Sequence, residues 1–480
     1  MTVHRRLAAT GSVVGAMIVA LDGTVLTVAW PGLQRDLGAS FAQVQWTSTG
    51  YLIAVASLLV FAGRLGDRYG HQRLFAVGML GFGAASAGIG LAPGIGWMIG
   101  LRVVQGVFGA LLQPATLGML RAAYPPDRLR TPIAVRTAAI GVAAALGPVV
   151  GGALVSGPGW RAVFFLNVAP AVVLGSLVLV RPGPRRAAAG QRARRLPPGQ
   201  APKQAPSAGL DVPGALLLAV TLAGLVHTLV VLPDVRWTTA GEVAVVLVAA
   251  AGFVRHERRT ASPLIPPDVV GSVAVGSALG VLVTASAALH GTLFVSTYVM
   301  QDTLGLDPLQ SALRSLPLAV MMVAAAPCGA VLLRRAGARR TGVPAMAVLA
   351  LGILLLVRAS GTLALCVGFG LLGAGFGTVM VTATHVVVRH SAVESAGVAG
   401  GAKQTAMNVG PILGVAAATV LLGSGGGRAL PLLVLTTVAV GGAVVGGLLP
   451  GHGAVGADDH CDTADDLGDA GPRTSVPARR

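Results

Sequence analysis

Asp22 is the residue in this 480-residue chain best placed to do chemistry. Read against the apolar runs, the other seventeen acidic residues fall in loops, at a linker edge or in the C-terminal stretch, while Asp22 lies inside a run. A carboxylate surrounded by hydrocarbon is costly and rare, and where one is kept it marks a functional site by default. Arg102 is the matching cation, also inside an apolar run, and needs a carboxylate, carbonyl or water partner. An acid in apolar surroundings favours its neutral form, and one beside a guanidinium its charged form. A group set between the two can take up and release a proton. Asp22 and Arg102 are therefore the expected proton-coupling pair. The alternative is a permanent structural ion pair.

Two further clusters carry local chemistry. From Gly63 to Arg73 the chain reads Gly-Arg-Leu-Gly-Asp-Arg-Tyr-Gly-His-Gln-Arg, a polar segment between two apolar runs. Its glycines permit a tight turn and close helix approach. Asp67 is placed to cap a helix N-terminus or to meet an arginine such as Arg121 or Arg128. Further on, Gly141, Gly147, Pro148, Gly151 and Gly152 lie within a single run, with Ala143 four residues before Gly147. Small residues let helices approach, and the proline bends its helix and frees a carbonyl.

The elements that must hold these residues follow from composition. Hydrophobic residues make up 54% of the chain and charged residues 11%, against roughly 25% charged in a soluble domain. Fourteen apolar runs recur between residues 7 and 449, each about 17–25 residues and so able to cross a hydrocarbon core as a helix. The first follows Arg5 and Arg6 as a signal peptide would, but its length, Asp22 and the many later runs predict a retained first helix. Assigning loops to alternate faces puts 28 of the 35 Lys and Arg on the N-terminal face, Arg136 and Lys403 included, and five on the other. Both termini are thus expected in the cytoplasm. Trp30, Trp46, Trp97, Trp160 and Trp237 all fall at run ends on the outer face, as boundary aromatics should. The net charge of +17 is spread through short loops and forms no continuous basic face, which argues against nucleic acid.

The expected fold class is an all-α polytopic membrane protein. A six-helix bundle spans 1–180, a basic, proline-rich cytoplasmic linker 181–210, two inserted helices 211–256, a second six-helix bundle 257–449 and a disordered acidic tail 450–480. The segment Ala330–Arg339 reads as a decayed copy of the Gly63–Arg73 loop, with Arg334 where Asp67 stands, which suggests two related halves.

On these motifs the chain resembles the major facilitator superfamily, and within it the fourteen-span drug:proton antiporters, over nearly all of residues 10–450. Gly63–Arg73 is similar to the superfamily's G-x-L-x-D-R-x-G loop, which implies a gating latch made by Gly63, Asp67, Arg68, Gly70 and Arg73 that favours the outward-open state. Arg102, Gln105 and Gly106 resemble its R-x-x-Q-G element. Gly147, Pro148, Gly151 and Gly152 resemble the antiporter signature associated with exporters. Leu21–Pro31 is similar to the group's L-D-x-T-V-x-N-V-A-L-P, departing at Thr27 and Trp30, and Trp160, Arg161, Phe164 and Asn167 resemble its pattern leading into span six.

Other signals are discounted. Gly368, Gly370 and Gly373 fit a dinucleotide fingerprint, but no strand precedes them and no acid follows at the required distance. Asp459, His460, Cys461 and Asp462 make a poor metal site, and Cys328, Cys366 and Cys461 show no disulfide spacing, so neither metal nor cofactor is expected. His227, His290 and His385 lie in runs and could relay protons, though core histidines are commoner. No catalytic constellation points to an enzyme. The expectation is a monomeric exporter in the inner membrane of a GC-rich bacterium, a lineage suggested by 33 arginines against two lysines. It would exchange protons for a small, largely apolar compound, neutral or weakly charged, such as a drug, antibiotic or secondary metabolite. A nutrient importer of the same fold and a non-transporting membrane sensor are the alternatives.

Overall fold

The computed structural model describes residues 3–125, 128–180, 211–231, 237–260, 272–390, 396–423 and 427–451. These contain helices and no strand. The linker expected at 181–210, and the acidic tail beyond residue 451 with its Asp459–Asp462 cluster, lie outside the described residues.

The first half comprises α1 (Val3–Leu37), α2 (Phe41–Tyr69), α3 (His71–Gly90), α4 (Ile95–Ala123), α5 (Arg130–Ser156) and one span made of α6 (Trp160–Phe165) and α7 (Val168–Val180). Next come α8 (Val212–Val231) and α9 (Trp237–Glu257). The second half is α10 (Val273–Tyr298, extended by a π turn over Val299–Thr303), α11 (Pro308–Arg358), α12 (Thr362–Arg389), α13 (Ala396–Gly423) and α14 (Ala429–Gly446). Eleven helices among the described residues are long and apolar enough to cross a membrane. One of them, the 51-residue α11, is two spans joined at Gly337, whose φ of 82° and ψ of 170° are not helical. With α8 and α9, of 20 and 21 residues and about 30 Å each at 1.5 Å per residue, the fourteen expected runs each find a helix.

Local chemistry sets the element boundaries. Ser40 and Gln43 form a reciprocal capping box that starts α2, the Ser40 hydroxyl accepting from the Gln43 amide at 3.2 Å and the Ser40 amide donating to the Gln43 side chain at 2.9 Å. Asp307 caps α11, accepting from the Gln310 amide at 2.8 Å, with Pro308 at the first helical position. Gly70 joins α2 to α3 at φ 97°, and Gly337 turns at the corresponding place in the second half, within the decayed copy of the same loop.

Side chains are sorted as a bilayer sorts them. Leu247, Val248, Leu363 and Val444 point outward and are exposed, as lipid-facing positions, while Phe75, Phe82, Phe164, Phe294 and Phe369 fill the interior. The halves meet where α5 packs on α11 and where α2 packs on α13. Along that second seam α8 lays Leu218, Leu222 and Val226 against Ile53 and Ala56 of α2 and Ile412 and Ala416 of α13. The inserted pair therefore touches both halves. Asp211, buried at the start of α8, accepts from the Gly214 amide at 2.9 Å and lies 2.6 Å from His256 Nε2 of α9, which ties the pair together.

Several expectations need correction. Asp22 is not the only acid in a span, because Glu242 lies within the second turn of α9, 3.8 Å from His227. Arg136 and Lys403 are within α5 and α13 rather than in the loops their assignment to the cytoplasmic face assumed, though the charge asymmetry survives their removal. Trp97 is exposed as a boundary residue should be, but Trp30 and Trp160 are buried at 3% and 2% exposure, so they pack protein rather than the membrane boundary. The side chain of Trp237 lies outside the described residues.

Candidate functional site

The polar centre is assembled from five helices of the first half. Asp22 of α1 and Arg102 of α4 form an ion pair at 2.7 Å, with side chains 1% and 2% exposed. Three donors hold the carboxylate: Arg102 Nη1 on Oδ2, and Gln105 Nε2 at 3.1 Å and Asn167 Nδ2 at 3.0 Å on Oδ1. Arg102 also donates through Nε to the Thr47 carbonyl of α2 at 2.8 Å and through Nη1 to Gln105 Oε1 at 2.5 Å. Its guanidinium lies 4.4 Å from the centre of the Tyr51 ring and 5.9 Å from that of Phe164, a cation–π setting that offsets part of its desolvation. Gln105 passes its second donor to Ser86 at 2.7 Å, and Ser86 donates to the Phe82 carbonyl at 2.8 Å. Each charge is met by hydrogen bonds, as a buried pair requires.

Backbone architecture brings these groups together. Gly106 lets α4 approach α2, since a Cβ there would stand 2.6 Å from the Tyr51 carbonyl. Between α6 and α7 the hydrogen-bond pattern tightens to an i→i−3 bond from the Asn167 amide to the Phe164 carbonyl at 3.1 Å, and the Asn167 side chain points inward to Asp22. Gln105 and Gly106 thus stand where the sequence places them. Thr47, Tyr51 and Ser86 carried no signal, whereas Asn167 lay in a motif without an assigned role.

The glycine-proline signature is a packing seam. A Cβ at Gly151 would meet the Val25 carbonyl at 2.7 Å, and one at Gly152 would meet the Pro308 carbonyl and Leu309 Cα at 2.8 Å each. Gly147 faces Thr24, and Pro148 lies inside α5. One stripe of α5 therefore packs on α1, beside Asp22, and on α11 of the other half.

Around that seam the two halves are closed at their outer ends. Trp30 lies 5.0 Å from Phe294, Phe294 lies 5.1 Å from Tyr298, and Phe41 lies 4.9 Å from Tyr298, ring centre to ring centre. Trp30 Nε1 donates to Ser48 at 3.1 Å, and Trp160 Nε1 donates to Asp36 at 2.9 Å. The π turn ending α10 carries Gln301, which donates to the Val28 carbonyl at 2.9 Å, and Asp302, which meets Arg35 at 3.4 Å.

On the inner side of this seal lies a cavity of about 350 Å³ between the halves, lined by α1, α2, α4 and α5 on one side and by α10 and α13 on the other. Arg102 reaches its wall, with Asp22 behind it. His290 lines it, while His227 faces Glu242 and His385 lies exposed on α12.

The Gly63–Arg73 loop forms the turn from α2 to α3. Asp67 Oδ1 at the end of α2 lies 3.1 Å from His71 Nε2 at the start of α3, across the Gly70 turn. The His71 ring is seated against Gly66 and Gly118, where a Cβ on either would collide with it. The guanidinium of Arg68 lies 5.5 Å from the centre of the Tyr69 ring. Gly63 faces Pro114 of α4, and Arg73 is exposed in the first turn of α3.

Two six-span helical halves around a central cavity, with a buried ion pair in one half and a seal at one end, define a membrane transporter. The profile of the Major Facilitator Superfamily matches residues 13–415 and 279–456, and the chain belongs to that family, as a multi-pass membrane protein. It is 39% identical over 427 residues, 87% of this chain and 76% of the other, to the tetracenomycin C resistance and export protein of Streptomyces glaucescens. To the probable actinorhodin transporter of Streptomyces coelicolor it is 34% identical over 433 residues, 86% of this chain and 72% of the other. A solved bacterial homolog of the human lysosomal transporter Spinster, inward-facing and unoccupied, shares the fold at a TM-score of 0.60 and 14% identity, covering 93% of this chain and 95% of that one.

Proposed function

We propose that this protein exports small, largely apolar antibiotics or drugs across a bacterial inner membrane in exchange for protons. The direction is supported by relatives named as resistance or export proteins for tetracenomycin C and puromycin. The observation that carries proton coupling is the Asp22–Arg102 pair, buried and triply hydrogen-bonded yet directly behind the cavity wall. With the outer ends sealed, the carboxylate is paired with Arg102. When the halves rock, Arg102 withdraws and Asp22 takes a proton from outside, and return of Arg102 expels that proton inward. One proton moved through 100 mV yields roughly 2.3 kcal/mol, which at about 1.4 kcal/mol per decade supports a substrate gradient beyond tenfold. The Gly63, Asp67, Arg68, Gly70 and Arg73 loop would act as the latch on the inner face and the Gly147–Gly152 stripe as the hinge seam, in a chain working as a monomer.

Expression in a drug-sensitive bacterium tests the direction. Tolerance to several apolar antibiotics should rise and their accumulation fall, and a protonophore should abolish both effects. Raised accumulation would instead make the chain an importer.

A further inference from the structure

The wall of the central cavity is lopsided in its chemistry. Arg136 of α5 faces it, and its guanidinium bonds only to the Thr116 hydroxyl, through Nε at 3.2 Å and Nη2 at 2.9 Å. Among the described residues Arg136 has no carboxylate partner, in contrast to Arg102, which Asp22 neutralises. No aspartate or glutamate among the described residues lines the cavity. From the opposite half, Asn408 of α13 is 7% exposed and its Nδ2 has no acceptor, while its Oδ1 is occupied by Gln404 Nε2 at 3.3 Å. His290 of α10 has Nδ1 against the Ser286 carbonyl at 2.9 Å, which fixes that nitrogen as a donor and leaves Nε2 as the nitrogen available to a ligand. Gly15, Ala16, Ala20 and Gly23 of α1 give a small, apolar stretch of wall beside the Tyr51 ring, while Thr24, Ser48, Gln113 and Gln404 add polar groups elsewhere.

A half-buried guanidinium without an acid, and a buried amide donor without an acceptor, are costly unless something supplies both. Resting on the export reading above, we propose that the cavity selects substrates bearing an acidic group, a carboxylate or an ionised phenol, on a flat apolar body. The anion pairs with Arg136 of the first half. A further oxygen of the same molecule accepts from Asn408 of the second, so one molecule bridges both halves. Such a ligand fits a volume of about 350 Å³, within the usual range for drug-sized sites. A cation in the same place would meet Arg136 with nothing to balance it. The membrane potential, negative inside, then drives the anion outward along with the exchange for a proton, so both movements draw on the same field.

The test is equilibrium binding to the purified full chain in lipid nanodiscs, with two dyes that share a ring system and differ in charge, carboxyfluorescein and tetramethylrhodamine methyl ester. The anionic dye should bind at least about tenfold tighter. Arg136→Gln should weaken the anion by about tenfold and leave the cation unchanged or tighter, with Arg136→Lys in between. Asn408→Ala should weaken the anion by a smaller factor, and it keeps the test decisive if the arginine variants do not fold. Equal or tighter binding of the cation, no binding of the anion, or an anion affinity indifferent to both substitutions would overturn the proposal. Charge-selective binding without proton-driven export from cells would leave this site standing and remove the export reading instead.

Discussion

At the scale of single residues, the ion pair decides both stability and mechanism. Breaking a buried pair on one side leaves an uncompensated charge and costs about 3–5 kcal/mol, whereas removing both partners is far milder. Arg102→Met should therefore lower the melting temperature sharply, and the double variant Asp22→Asn/Arg102→Met should recover most of the loss. Thermal denaturation in detergent reads this directly; additive losses would show the two groups to be independent. Asp22 and Arg102 were legible because a charge inside an apolar run is conspicuous. The shell that satisfies them was not: Thr47 contributes only a carbonyl, which any residue has, and Ser86 and Tyr51 are ordinary residues whose roles come from helix packing. Asn167 sat within a motif, but only the packing of its span against α1 brings its side chain to Asp22.

At the scale of elements, the glycines of α5 fix how closely three helices pass. Gly152 touches backbone atoms of α11, which cannot move aside as a side chain can. Gly152→Leu should wedge the outer ends apart and abolish transport while the protein still inserts. Labelling of a cysteine placed at Val28, in a chain first cleared of its own three cysteines, should rise several-fold from the outside in that variant. Labelling as low as in the parent would mean the seam tolerates the side chain. The latch turn is a second case. Gly70 sits at φ 97° and ψ 127°, a sparsely populated conformation where a Cβ costs on the order of 1–3 kcal/mol, so Gly70→Ala should lower thermal stability and slow transport; an unchanged rate would count against a gating role for the loop. Here the sequence was informative about spacing and less so about partners, since the contact of Asp67 with His71 of its own loop carried no signal in the sequence.

At the scale of the whole molecule, the outer seal combines an aromatic plug with one ion pair, and magnitudes separate their roles. Arg35 and Asp302 are 64% and 44% exposed, and such surface pairs contribute about 0–1 kcal/mol. The buried rings of Trp30 and Phe294 contribute their burial and about 0.5–1.5 kcal/mol of ring contact besides. Trp30→Ala should accordingly open the outer face and leak substrate back, while Arg35→Ala should leave net export within about twofold of the parent. A larger defect in Arg35→Ala would make the salt bridge the true lock. Helix number, the break at Gly337 and the paired loops were readable from apolar run length and glycine placement, because the bilayer constrains length and polarity so strongly. The tryptophans misled for a physical reason: a ring at a span end serves a protein seal as well as a lipid boundary, and only packing tells Trp30 and Trp160 from Trp97.

The most direct test of the central claim is proton movement coupled to substrate through Asp22. In everted membrane vesicles holding an acid interior, a pH-sensitive dye reports protons leaving when an exported antibiotic is added outside. The parent chain should dissipate the gradient on each addition. Asp22→Asn should leave the gradient intact while still exchanging labelled for unlabelled antibiotic, which shows it folded and able to alternate. Substrate-dependent proton release from the Asp22→Asn vesicles, equal to the parent's, would contradict the account and move the proton site elsewhere in the molecule.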